Sequence, residues 1–111
     1  MIELTREQRA ALERSASAAA RLLRALGNDR RLMILCELGS GELPVAALQA
    51  RVGLSQSALS QHLALLRDDG ILASRRNGQA VFYRIVDRNA VKLVATLADV
   101  FCPAEAACSK N

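Results

Sequence analysis

Tryptophan is absent from the 111 residues, and aromatic side chains make up only 3% of them. Single-strand binders and RNA modules stack bases on aromatic platforms, so this scarcity disfavours both relative to a reader of duplex nucleic acid. No apolar run approaches the roughly 20 residues that a membrane helix needs. The N-terminus reads TREQRAALERS from Thr5 rather than a basic region followed by an apolar core. A cytoplasmic protein without a membrane partner is expected. Histidine occurs once, at His62, and the three cysteines, Cys36, Cys102 and Cys108, form no CxxC or CxC pair. An odd number of thiols in such a chain does not suggest a disulfide framework, so they are expected as free thiols. No nucleophile–base arrangement, phosphate loop or metal centre is visible, which argues against an enzyme and calls for no cofactor.

What the chain does have is apolar content, at 51%, and a basic excess of +4. One small domain is expected, of a size that often gains stability by association. The charge is local: residues 51–92 hold Arg51, Arg67, Arg75, Arg76, Arg84, Arg88 and Lys92 against Asp68, Asp69 and Asp87. A basic patch suits a polyanion, although a solvated face with no partner has the same composition.

Thr5 and Gln8 form a capping-box pattern, and the sequence from there to Leu26 is rich in Ala, Leu, Arg and Glu, which predicts a first helix. Asn28 can cap a second through DRRLMILCEL, stopped by Gly39-Ser40-Gly41. Pro44 suits the first turn of a third that runs to about Val52, with Gly53 as its stop. Ser55 caps a fourth, SQSALSQHLALLRDD, ended by Gly70. Only Gly53, Leu54 and Ser55 separate the third and fourth, the short glycine-containing turn of a helix-turn-helix. Beyond Gly70, ILASRR and QAVFYRIV have strand-compatible residues joined by Asn77-Gly78, a two-residue hairpin signal in which both positions must tolerate positive φ. Asp87 can cap a last helix, RNAVKLVATLADVFC, terminated by Pro103. The expected fold is mainly α with a small β-hairpin: a winged helix-turn-helix of about five helices plus a two-stranded wing. It fills residues 1–102, with 103–111 as a flexible tail.

The last helix is apolar around most of its circumference, and the first carries Leu12, Leu22, Leu23 and Leu26 among many alanines. A single-layer domain cannot cover all of that surface, so the terminal helices are expected to form a homodimer interface; the competing reading is a buried core.

In a helix-turn-helix the N-terminal half of the second helix enters the major groove. The residues so placed are Ser55, Gln56, Ser57, Ser60, Gln61 and His62, while Leu59, Leu63 and Leu66 recur at helical spacing and should hold the helix to the core. Glutamine can pair with adenine through two hydrogen bonds, and serine can bond to bases or phosphates. Arg75, Arg76 and Gln79 flank the wing tip, where arginine can meet phosphates or the minor groove. Taken singly, each of these features is also what a solvated polar surface looks like; their combination favours double-stranded DNA.

LRALGNDRRLMILCEL, LSQSALSQHLALLRDDGIL and the basic hairpin ending in VFYRI resemble the ArsR/SmtB family of winged-helix repressors, over about Leu22 to Cys102. The resemblance implies a dimer that binds a palindromic operator and is released by an inducer. Soft-metal sensors of the family often carry a CxC-type pair in the third helix, but here that region reads ELPVAALQ. Others use Asp and His on the last helix, which here has no His. The four ligands of a tetrahedral zinc site are not assembled.

Cys36 lies inside the apolar run LMILCEL, where a free Cys can simply pack as a small hydrophobe, and Cys102 ends the last helix. A Cys at each of these two places is similar to the BigR-, SqrR- and HlyU-like subgroup. That resemblance implies sensing of reactive sulfur species, persulfides and polysulfides, by linking Cys36 to Cys102 through a disulfide or a chain of sulfur atoms, with loss of DNA binding. Cys108 has no counterpart in that pattern. The alternatives are a regulator of the same fold responding to arsenic, another metal or general oxidants, and a helical adaptor that uses the basic face for a protein partner.

Overall fold

The computed structural model describes residues 1–102. The expected tail at 103–111, the helix stop at Pro103 and the thiol of Cys108 lie outside the described residues. Five helices and three short strands run in the order α1 (Arg6–Leu26), α2 (Asp29–Leu38), β1 (Leu43–Pro44), α3 (Val45–Val52), α4 (Gln56–Asp68), β2 (Leu72–Asn77), β3 (Ala80–Ile85) and α5 (Arg88–Val100).

Four of the helices begin on the capping residues expected. Thr5 and Gln8 close a reciprocal capping box on α1, Asn28 accepts from the Arg30 and Arg31 amides, Ser55 from Ala58, and Asp87 from Asn89 and Ala90. Each such cap satisfies amides that the first turn leaves without partners, at about 1 kcal/mol. The corner between α1 and α2 is held by Arg31, whose Nε and Nη2 donate to the carbonyls of Ala25 and Arg24 at 2.6 and 3.1 Å.

β1 was not expected. Leu43 and Pro44 pair with Tyr83 and Phe82, so the wing is the larger part of a three-stranded antiparallel sheet in the order β1-β3-β2. Pro44 thus ends a strand and caps α3 from outside, where it was expected inside the first helical turn. The hairpin also closes one residue later than expected. Asn77 pairs with Ala80, leaving Gly78 and Gln79 as the loop. Only Gly78 has positive φ, at 65°, so the turn needs one permissive residue rather than two.

Ile34, Leu35, Leu48, Leu59, Leu66 and Ile71 are fully buried and form the centre of one core, joined by Leu38, Leu63, Leu72, Tyr83 and Ala90. Only the C-terminal end of α1, through Ala25 and Leu26, belongs to it. The largest fully buried side chains come from α2, α3, α4 and the residue just before β2, so this core fixes the angle at which α4 leaves α3.

Candidate nucleic-acid interface

The turn between α3 and α4 is tight because Gly53 takes φ 69°, a left-handed conformation that an ordinary side chain disfavours. Gln49 of α3 donates from Nε2 to the Leu54 carbonyl at 3.2 Å and braces the same turn. Nothing in the sequence marks Gln49 for this role, because a helix glutamine facing its own C-terminal loop has no pattern of its own.

On α4, Leu59, Leu63 and Leu66 are buried, whereas Gln56, Ser57, Ser60 and Gln61 are exposed on the opposite side; His62 is half-buried between the two faces. The structure therefore brings Gln56, Ser57, Ser60 and Gln61 together on one surface. Ser55 is exposed beside them, but its oxygen is occupied as the cap acceptor from Ala58 at 3.2 Å. The amide end of the helix carries a partial positive charge, which complements a phosphate.

At the wing, Arg76 is exposed near the end of β2 and Gln79 is exposed in the hairpin loop itself. Arg75 differs from both. Its Nε and Nη2 donate to the two carboxylate oxygens of Glu42 at 2.9 and 2.7 Å, and its Cζ lies 4.6 Å from the centre of the Phe82 ring. Hydrogen bonds from this guanidinium, and secondarily its charge and that of Arg84, hold the Glu42 carboxyl below the usual carboxylate range. Glu42 and Phe82 were not singled out from the sequence. The Glu42 contact spans 33 positions, and both contacts follow from sheet register, which local pattern does not reveal.

Cys36 is a free thiol and exposed, not packed as its apolar run allowed. The run is amphipathic: Ile34, Leu35 and Leu38 turn inward, and Met33 and Cys36 turn out. Cys102, just past α5, is disulfide-bonded, which corrects the expectation of a free thiol there, and Cys36 is not its partner. Among the described residues no group of three or more His, Cys, Asp or Glu is placed to hold a metal ion. Among the same residues no helix is long and apolar enough to cross a membrane.

Residues 28–74, from the cap of α2 through the start of the wing, match the family described as bacterial regulatory protein, arsR family. The biofilm growth-associated repressor of Xylella fastidiosa is 40% identical over 102 residues, spanning 92% of this chain and 87% of that protein. The transcriptional activator HlyU of Vibrio cholerae is 44% identical over 93 residues, spanning 84% and 86%. Among solved structures, the transcriptional repressor BigR from Xylella fastidiosa aligns with a TM-score of 0.82 at 40% identity, over 90% of this chain and 99% of that one. Reduced HlyU from Vibrio cholerae aligns with a TM-score of 0.78 at 43% identity, over 84% and 98%. With the winged-helix architecture and the exposed polar face of α4 already in place, these likenesses establish that the chain belongs to the ArsR family of bacterial regulatory proteins, in its BigR/HlyU-like subgroup, and is a DNA-binding transcriptional regulator.

Proposed function

We propose that the protein is a cytoplasmic, homodimeric repressor that binds a palindromic operator and releases it when Cys36 and Cys102 react with persulfides or polysulfides. The observation that carries the sensing half is the accessible thiol of Cys36 on α2, a helix that packs against α5, the element that leads to Cys102. A persulfide R–S–SH would transfer its outer sulfur to the Cys36 thiolate, releasing R–SH. Attack of a Cys102 thiolate on that Cys36 persulfide would then join the two residues and expel hydrogen sulfide. A longer sulfur chain would serve where the Cα atoms stand more than about 7 Å apart, too far for a two-sulfur link. Because Cys102 is disulfide-bonded in this structure, its thiolate must first be freed by exchange with two equivalents of a small thiol R–SH, which leave as R–S–S–R. The same bond favours a second reading, in which general oxidants act on these thiols.

Dimerisation is supported by the apolar side chains that α1 and α5 leave exposed, Leu12, Leu23, Val91 and Leu97 among them. A two-fold pair would set two copies of α4 against half-sites about one helical turn apart. Induction requires that the crosslinked form disfavour the DNA-bound arrangement, and a difference of about 1 to 3 kcal/mol suffices for roughly 5- to 150-fold weaker binding.

The test is affinity for the gene's own upstream duplex before and after persulfide or peroxide, with mass spectrometry locating added sulfur. Cys36→Ser and Cys102→Ser should bind when reduced and no longer release on persulfide, while Cys108→Ser should respond nearly normally. Full release of Cys36→Ser together with failure of Cys108→Ser would reassign the pair. Release by peroxide as readily as by persulfide would establish the second reading.

A further inference from the structure

Arg75 and Arg76 are neighbours in sequence but lie on opposite faces of the wing, because a strand alternates its side chains. Arg76 pairs across the ribbon with Val81, on the face that also carries Leu72, Tyr83 and Ile85 toward the core. Arg75 pairs with Phe82 on the outer face. From β2, at one edge of the sheet, its side chain crosses the ring of Phe82 on the central strand β3. It ends on Glu42, the residue just before β1 at the other edge. Three residues beyond Glu42, α3 begins. The guanidinium therefore ties the outer strand of the wing to the root of the helix-turn-helix.

We infer that Arg75 is a positioning residue and not a phosphate contact: clasped by Glu42 and stacked on Phe82, it fixes the wing relative to α3 and α4, so that Arg76 and Gln79 meet the duplex while α4 lies in the groove. The inference rests on the DNA interface described above. Both Arg75 hydrogen bonds are charge-assisted and end on one carboxylate, a fork geometry that specifies orientation as well as attraction. To reach a phosphate, Arg75 would have to leave both Glu42 and Phe82. Lysine cannot reproduce the arrangement, since a point charge on a flexible stem neither forks onto a carboxylate nor lies flat on a ring.

That difference supplies the test. Binding to the upstream duplex and to a random duplex is measured across a salt series for Arg75→Ala, Arg75→Lys, Glu42→Gln and Arg76→Ala, with thermal unfolding confirming that each variant is folded. Arg75→Ala, Arg75→Lys and Glu42→Gln should weaken binding to the upstream duplex by a similar factor, about 2- to 5-fold. Their salt dependence should match that of the parent protein. The double variant Arg75→Ala with Glu42→Gln should be no weaker than either single one, as expected for two halves of one contact. Arg76→Ala should instead lower the slope of log affinity against log salt by about one. The inference is overturned if Arg75→Lys binds like the parent while Arg75→Ala loses a slope of about one, because charge alone would then be what Arg75 supplies. It is also overturned if Glu42→Gln tightens binding to both duplexes, since Glu42 would then be masking a DNA contact. If Arg76→Ala changes neither affinity nor slope, Arg76 makes no phosphate contact, and the inference is overturned in its claim that the clasp presents Arg76 to the duplex.

Discussion

Between Asp29 and Ile85 most apolar side chains of α2, α3, α4 and the sheet close over one core, with Ile34, Leu35, Leu48, Leu59, Leu66 and Ile71 fully buried and Met33 and Leu65 the large exposed exceptions. The two terminal helices are covered only in part, through Ala25 and Leu26 of α1 and Ala90 of α5. α1 leaves Leu12 and Leu23 exposed, α5 leaves Val91, Leu97 and Val100, and Phe101 at its end is 78% exposed. Both regions are rich in apolar residues, so composition does not separate them. What separates them is the presence of a covering layer within the chain. The central region supplies its own layer and can fix α4 and the wing as a rigid unit; the ends leave large apolar side chains uncovered, which are those the proposed dimer would bury.

The comparison breaks most easily at the core. Leu59 is fully buried on the inner face of α4, so Leu59→Ala should cost about 2 to 5 kcal/mol through lost burial and the cavity left behind. Chemical denaturation measures it as a fall in the transition midpoint at unchanged slope. A cost below about 1 kcal/mol would mean that the core is looser than its burial indicates.

At the ends, the expected effect is on association. Replacing Leu97, exposed on α5, by glutamate places a charge in the proposed interface and should weaken self-association by roughly 30-fold or more, the scale of a central interface residue. Sedimentation over a concentration series reads this directly. If Leu97→Glu and the parent protein sediment alike, the exposed face of α5 is not where two copies meet.

How much of this was legible in the sequence follows the same division. Helix starts were readable because a cap is a local event: Thr5, Asn28, Ser55 and Asp87 each act on amides two or three residues away. The polar and apolar faces of α4 were readable from helical period. The strand β1 was not, because two residues carry no period and are defined only by their partner β3. The hairpin loop lies one residue later than Asn77-Gly78 implies, since that pair matches a turn in which both residues have positive φ, whereas the pairing of Asn77 with Ala80 leaves that need to Gly78 alone. Arg75 and Arg76 are adjacent and alike in sequence, and only the sheet register sets them on opposite faces. The outward turn of Cys36 was present in the spacing of Ile34, Leu35 and Leu38 but hidden by the apolar character of Met33 beside it.

A smaller effect is expected on the exposed face of α4, where a substitution should change what is read without changing the fold. Gln61 is exposed and its neighbours Leu59 and Leu63 are buried, so Gln61→Ala leaves the core contacts of α4 in place. It should cost about 1 to 3 kcal/mol of discrimination between the upstream and random duplexes if it holds a base through two hydrogen bonds. Affinity for the random duplex and thermal stability should stay near those of the parent. Equal losses on both duplexes would make Gln61 a backbone contact instead.

The smallest expected effect belongs to the surface clasp of the wing, and it is one of pH. Hydrogen bonds from Arg75 lower the folded-state pKa of Glu42, so the ionised carboxylate is favoured by folding. For a carboxyl shifted in this direction, the stabilisation is fully present above its unfolded value and is lost as pH falls through the folded one. The contact is therefore complete at neutral pH and opens only on the acid side of the ordinary carboxylate range. Because both groups lie at the surface, where solvent screens them, global unfolding is a poor probe of this contact. A side-chain carboxyl titration followed by nuclear magnetic resonance is the suitable measurement. Arg75→Ala should move the Glu42 midpoint upward, and Arg75→Lys should leave it between the two, since lysine keeps the charge but loses the fork. Identical Glu42 midpoints in the parent and in Arg75→Ala would show that the pair is not held in solution, and the wing would then lose the tie that distinguishes Arg75 from Arg76.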